Sequence, residues 1–138
     1  MPKVAIAGKL QGGIFIDMII GESKCKKWSA KLSEKEENDI KMFIKGAVYG
    51  YCNNCIEEDG NYRWFSVFTL FGKDNYCWET PLVNLYNYHK NTAKDNKTAI
   101  SLSGQDLGYL LKTVLIDDDR KYEINSQQRK YKVNSYRL

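Results

Sequence analysis

Residues 33–51, SEKEENDIKMFIKGAVYGY, give the clearest structural signal in the chain. Ser33 and Glu36 have the spacing of a capping box, in which each side chain accepts a hydrogen bond from the other residue's backbone N–H. The glutamates that follow Ser33 lie in the first turn, where the helix dipole favours acids. The pattern therefore predicts a helix over residues 34–51. Apolar residues recur at intervals of three and four, which predicts one buried face made of Ile40, Phe43, Ile44, Ala47, Val48 and Tyr51.

The segment after this helix predicts a buried strand. Residues 62–71 read YRWFSVFTLF, which is apolar at both odd and even positions and rich in aromatic residues. Such a run is typical of a central strand that is covered on both faces. We therefore expect Trp64 and Phe68 to lie in the core, and residues 76–79 to form a partner strand after a turn.

The only histidine of the sequence lies on a second predicted helix. Thr80 is expected to cap this helix, with Pro81 at its first position, where the fixed φ of proline suits a helix start. His89 falls on the apolar side of the helix. A catalytic histidine needs an orienting carboxylate and a nucleophile nearby, and the spacing identifies neither. We therefore interpret His89 as a structural residue.

A third helix is predicted before the C-terminal segment. Residues 98–102 are interpreted as a short strand, and Ser103 with Asp106 as the cap of the helix. The predicted buried stripe consists of Leu107, Leu110, Leu111, Val114 and Leu115. The aspartates at positions 117–119 should end the helix, because acids oppose the dipole at a C-terminus. We interpret these aspartates as a solvated helix end.

Residues 120–138 carry a concentrated positive charge. The segment contains six basic residues and one acid, Glu123, so its formal charge is +5, compared with +4 for the whole chain. Strand alternation predicts a hairpin that buries Tyr122, Ile124, Tyr131 and Val133. The opposite face then presents lysines, with Tyr136 as the aromatic residue on that side. Such a surface attracts polyanions, and the predicted binding residues are Lys121, Arg129, Lys130, Lys132, Tyr136 and Arg137.

The N-terminal residues predict a second hairpin. Residues 3–10 and 13–20 read as strands joined by a turn that contains Gly12 and Gly13, and glycine supplies the positive φ angles that a tight turn needs. A length of 138 residues suits one domain. The expected fold is α+β: a single compact domain over residues 1–138, with an antiparallel sheet built from hairpins and about three helices packed on it.

Four cysteines raise the question of a metal site. Cys52 and Cys55 have the two-residue spacing of half a zinc site, whereas Cys25 and Cys77 form no second close-spaced pair. We expect no bound metal, with zinc on the four cysteines as the alternative. The first residues do not resemble an export signal, which favours reduced thiols and a cytoplasmic protein.

The motifs that are missing from the sequence limit the function classes. No apolar run approaches the roughly 20 residues that cross a membrane, so we expect no membrane partner. No glycine-rich phosphate loop, activated nucleophile or convincing metal set is present, so we expect neither enzymatic activity nor a cofactor.

Two binding functions remain. We expect a nucleic-acid-binding module whose basic C-terminal hairpin contacts the phosphate backbone. The alternative is an interaction or inhibitor protein, of viral or mobile-element origin, that docks on a larger protein such as a nucleic-acid-handling host-defence enzyme. Homo-oligomerisation through the edge of the N-terminal hairpin stays open.

Overall fold

The computed structural model of the protein describes residues 9–11, 14–18, 28–72, 78–125 and 134–138. Within these ranges the chain forms four helices, where about three were expected, and four short strands. The helices are α1 (Glu34–Asn54), α2 (Val67–Phe71), α3 (Val83–Thr92) and α4 (Asn96–Asp117). The strands are β1 (Lys9–Gln11), β2 (Ile14–Met18), β3 (Glu123–Asn125) and β4 (Ser135–Arg137). The fold is therefore helix-rich, with a minimal sheet beside the helices.

The strands pair antiparallel in the order β1-β2-β3-β4. Strand β1 pairs with β2, as the N-terminal hairpin predicted, and Met18 at the end of β2 lies opposite Glu123 of β3. The two ends of the chain therefore meet in one sheet. At the C-terminal end, β3 pairs with β4 at residues 135–137, whereas the predicted second strand, around Tyr131 and Val133, lies outside the described residues.

Helix α1 begins as predicted. Ser33 Oγ accepts from the Glu36 N–H at 3.1 Å and Glu36 Oε1 accepts from the Ser33 N–H at 2.9 Å, which completes the capping box. The buried stripe follows four-residue steps and consists of Ile40, Ile44, Val48 and Cys52. Phe43 was expected in this stripe, but its side chain is 43% exposed, because the stripe runs through the i+4 positions and leaves Phe43 at its margin.

The strand predicted over residues 62–71 is wrong. Residues 67–71 form helix α2, because Ser66 and Thr69 make a second capping box that starts a helix at this point. Residues 62–66 form isolated β-bridges instead of the continuous strand pairing that was expected. One joins Phe65 to Tyr136, with backbone hydrogen bonds of 2.8 and 2.7 Å, and so places this segment next to β4.

Helices α3 and α4 both begin elsewhere than predicted. Thr80 and Pro81 lie in a turn before α3, joined by a cis peptide bond, and α3 starts at Val83. Helix α4 includes residues 98–102, so the short strand predicted there is wrong. Its cap is Asp95, whose Oδ1 accepts from the Thr98 N–H at 2.7 Å. A stronger cap further upstream therefore extends the helix through the predicted strand.

The core joins the inner faces of the helices to the inner face of the sheet. The leucine and valine stripe predicted for α4 is buried, and it belongs to the same apolar cluster as Phe65, Tyr122 and Ile124. The described helices include none that is both long and apolar enough to span a membrane.

Candidate nucleic-acid interface

The structure describes three of the residues that were predicted to bind a polyanion, namely Lys121, Tyr136 and Arg137. Lys121 is exposed, and Arg137 is half-buried at the end of β4. Tyr136 was expected on the solvent side, but it is 3% exposed, so that prediction is wrong. Its ring lies 6.0 Å from that of Phe65, centroid to centroid, inside the core. The other predicted residues, Arg129, Lys130 and Lys132, lie outside the described residues.

Strand alternation explains this division. Successive side chains of a strand point to opposite faces of the sheet. Tyr122, Ile124 and Tyr136 are buried, so their neighbours in the strands, Glu123 and Arg137, point away from the core. Glu123 lies opposite Arg137 in the β3–β4 register, and Arg137 Nη2 donates to Glu123 Oε2 at 2.8 Å.

Trp64 lies beside this ion pair. The bridge between Phe65 and Tyr136 makes Trp64 the neighbour of Arg137, and the guanidinium carbon lies 4.6 Å from the centroid of the Trp64 ring. Trp64 is half-buried, whereas Tyr62, two residues earlier, is 38% exposed. We use the name outer sheet face for the outward-facing Trp64, Lys121, Glu123 and Arg137, together with the exposed Tyr62, which precedes Trp64 by two residues.

The sequence predicts that Trp64 lies in the core, but in the structure it lies on the outer sheet face. The interpretation of residues 62–71 as a strand buried on both sides concealed the alternation. Tyr62 and Trp64 share one parity, and the buried Phe65 has the other. Arg63 shares the parity of Phe65, so no alternation of polar and apolar residues in the sequence marked Trp64 as facing outward.

A cluster of polar side chains anchors the start of the basic segment. We call it the Asp118 cluster, and its members are Tyr49, Asp118, Arg120 and Tyr122. Asp118 accepts hydrogen bonds of 2.6 Å from both tyrosine hydroxyls, one at each carboxylate oxygen. Arg120 Nη2 donates to the Tyr122 hydroxyl at 2.7 Å, and its guanidinium carbon lies 3.5 Å from the centroid of the Tyr49 ring. The cluster therefore joins α1, the end of α4 and the approach to β3.

The Asp118 side chain is only 2% exposed, so the prediction of a solvated helix end is wrong at this position. Burial would raise the pKa of Asp118, but the hydrogen bonds from Tyr122, Tyr49 and Arg120 outweigh it and lower the pKa below its ordinary value. Burial, together with the hydrogen bond to Asp118, raises the pKa of Tyr122 far above its ordinary value. The cluster is thus a carboxylate held ionised by neutral phenols and by one arginine.

His89 is buried, in agreement with its interpretation as a structural residue. Its Nε2 lies 2.6 Å from Asp106 Oδ2. Asp106 was predicted to cap a helix, but it lies within α4 and accepts from the backbone N–H groups of Ser29 and Ala30 at 2.9 and 3.0 Å. The pair therefore fastens residues 29–30 to α3 and α4.

The two cysteines that the structure describes lie at the end of α1. Cys52 is buried in the core, and burial raises the pKa of its thiol. Cys55 is the residue that caps the C-terminus of the helix. Cys25 and Cys77 lie outside the described residues, and among the described residues no group of three or more potential ligands could hold a metal ion.

A separate apolar patch lies on α1 and α2. The Met42 side chain is 73% exposed, the highest value among the large apolar residues that the structure describes. Phe43 follows Met42 in the sequence, and its ring stacks on that of Phe71 with centroids 5.8 Å apart. This patch lies on helices α1 and α2 and shares no residue with the outer sheet face.

Comparison with known proteins gives no relative for this chain. No protein-family model matches it, and no curated protein and no solved structure is significantly similar to it.

Proposed function

We propose that the protein is a non-enzymatic nucleic-acid-binding module that contacts the phosphate backbone through its basic C-terminal segment. The observation that carries this proposal is the position of that segment. The exposed Lys121 lies between Arg120 and Tyr122 of the Asp118 cluster, and the segment ends near Arg137 on the outer sheet face. Three further cations, Arg129, Lys130 and Lys132, lie between them in the sequence.

Ion pairs within the fold reduce the charge that a polyanion can meet. Arg120 is paired with the buried Asp118, and Arg137 is paired with Glu123. The other cations of this segment, read from the sequence, are Lys121, Arg129, Lys130 and Lys132. Each phosphate contact with single-stranded nucleic acid lowers the slope of log K against log[salt] by about 0.7. A slope of about −3 is therefore the upper limit for this segment.

The proposal is tested with a variant in which Lys121, Lys130 and Lys132 are all replaced by alanine. Binding of an oligothymidylate is measured by fluorescence anisotropy at several salt concentrations. The native protein should bind, and the variant should lose at least about tenfold in affinity at low salt and flatten the slope by about 2. Unchanged binding by the triple variant would overturn the proposal.

A matched control removes the same formal charge elsewhere. Lys31, Lys94 and Lys97 are exposed lysines distant in sequence from the C-terminal segment. Their replacement by alanine changes the net charge by the same amount. The control should retain nearly all of the affinity, and an equal loss in both triple variants would show only a dependence on net charge.

The apolar patch favours a second candidate, a protein that docks on a larger partner such as a nucleic-acid-handling enzyme. Exposed apolar residues that adjoin one another are typical of protein interfaces. Affinity capture from a native lysate, with and without nuclease, separates the two functions. A partner that survives nuclease treatment and is lost with Met42→Glu supports docking, whereas a capture consisting only of nucleic acid counts against it.

A further inference from the structure

We infer that the outer sheet face binds single-stranded nucleic acid, with bases stacked on Tyr62 and on the Trp64–Arg137 pair. This inference rests on the proposed function and adds to it the form of the ligand. It assigns to Tyr62 and Trp64 the aromatic role that the buried Tyr136 cannot fill.

The first argument is the chemistry of the pair. Aromatic side chains and arginine guanidinium groups are the groups on which proteins stack unpaired bases. The guanidinium of Arg137 lies 4.6 Å from the Trp64 ring centroid and is held in place by Glu123, so the pair is fixed before any ligand arrives. Tyr62 adds a second, exposed ring two residues away.

The second argument is the distribution of charge across the sheet. Acids surround the aromatic end: Glu123 is bonded to Arg137, and Glu57 is paired with the exposed Arg63. Asp59 is close enough to Arg137 for that charge to contribute to its lowered pKa, behind the hydrogen bonds from Asn61. Because these carboxylates offset the charges of Arg63 and Arg137, this end of the face offers phosphates no net positive charge and favours bases. Lys121, at the other side, is exposed and attracts phosphates.

The third argument is spacing. Neighbouring strands lie about 4.8 Å apart, so the segment that carries Trp64 lies about 10 Å from β3 across the face. Lys121 precedes Glu123 by two residues, which adds about 7 Å along the strand direction. A few unpaired nucleotides can span this distance with bases at Trp64 and phosphates near Lys121. Bases in a duplex are stacked on one another and cannot reach the rings.

The test compares two probes that carry the same charge. One is a twelve-nucleotide oligothymidylate and the other is an abasic strand of equal length, which has the phosphates without the bases. The native protein should bind the oligothymidylate at least about fivefold more tightly than the abasic strand, because each stacked base contributes measurably to affinity. A duplex of equal length should also bind more weakly than the oligothymidylate.

The variants are Tyr62→Ala and Trp64→Leu, and each should reduce the preference for the probe with bases while leaving abasic binding nearly unchanged. Tyr109→Ala is the control, because Tyr109 is an exposed tyrosine on α4. The half-buried Trp64 is checked for folding by circular dichroism, and the exposed Tyr62 tests the inference even if the Trp64 variant unfolds.

The possible outcomes separate the two proposals. Equal, salt-dependent binding of both probes would overturn the stacking inference and leave the proposed function in place. Tighter binding of the duplex would also overturn the stacking inference. Failure to bind either probe at low salt would overturn both.

Discussion

The hydroxyl of Tyr122 donates a hydrogen bond of 2.6 Å to Oδ2 of Asp118. Asp118 is the C-terminal cap residue of α4, and Tyr122 directly precedes β3. This hydrogen bond therefore holds the turn between the long helix and the C-terminal strands. Because Tyr122 is fully buried, its ring also fills the core against Phe65, at a centroid distance of 6.2 Å. One side chain thus supports both the core and the start of the basic segment.

Tyr122→Phe should lower the free energy of unfolding by about 1–3 kcal/mol. The substitution keeps the ring but removes the hydroxyl that bonds Asp118 and Arg120, so the buried carboxylate and the half-buried guanidinium each lose a hydrogen bond. Urea denaturation measures the change. Tyr109→Phe on the exposed side of α4 should change stability little, and equal effects at the two positions would contradict the role of the Asp118 cluster.

Asp118 should contribute to the acid sensitivity of the protein. Its pKa in the folded state lies below the ordinary value, so its ionised form stabilises the fold above that value. This contribution is lost as the pH falls through the lower, folded-state pKa. The difference in unfolding free energy between the native protein and Asp118→Asn should therefore be largest near neutral pH and shrink below about pH 4. A difference that stays constant down to pH 2 would contradict this account.

Asp106→Ala should destabilise the protein by at least about 3 kcal/mol. The substitution leaves His89 and the N–H groups of Ser29 and Ala30 without their acceptor. Thermal or urea unfolding measures the loss. Asp119→Ala, at an exposed position after α4, is the matched control and should cost little. A loss below about 1 kcal/mol for Asp106→Ala would mean that other groups or water replace the carboxylate.

Gly46→Ala should stabilise the protein by up to about 1 kcal/mol. Gly46 lies inside α1, and apart from its chain neighbours and the nearby helix backbone no atom lies within 4 Å of the position that an added Cβ would take. Alanine lowers the entropic cost of forming the helix without a clash. Gly60→Ala is the opposite case, because Gly60 has φ of +84°, which disfavours alanine. Urea denaturation should show opposite signs for the two variants, and equal signs would contradict the backbone geometry.

The helices show what could be predicted from the sequence. The capping box at Ser33 and the leucine stripe of α4 depend on residues within a few turns of one another, so local patterns were sufficient. The run at 62–71 was misread because its composition suits a strand, whereas the local cap formed by Ser66 and Thr69 starts a helix. Local hydrogen bonding prevailed over intrinsic strand preference.

The candidate site shows a different limit. The sequence analysis placed the Tyr136 side chain on the solvent side by extending the strand alternation of Tyr131 and Val133 to residue 136. The described strand begins only at Ser135, so its parity is set independently by its pairing with β3. Trp64 reaches the same face through a bridge to a strand more than 70 residues away. The partnership of His89 with Asp106 is likewise a tertiary contact that spacing alone could not reveal.

The most direct test of the central claim is the affinity of the native protein for oligothymidylate as a function of salt concentration. The account predicts that log K falls linearly with log[salt], with a slope between about −2 and −3, from contacts of Lys121, Arg129, Lys130 and Lys132 with phosphates. No detectable binding at low salt, or binding that does not depend on salt, would contradict the claim that this segment binds the phosphate backbone.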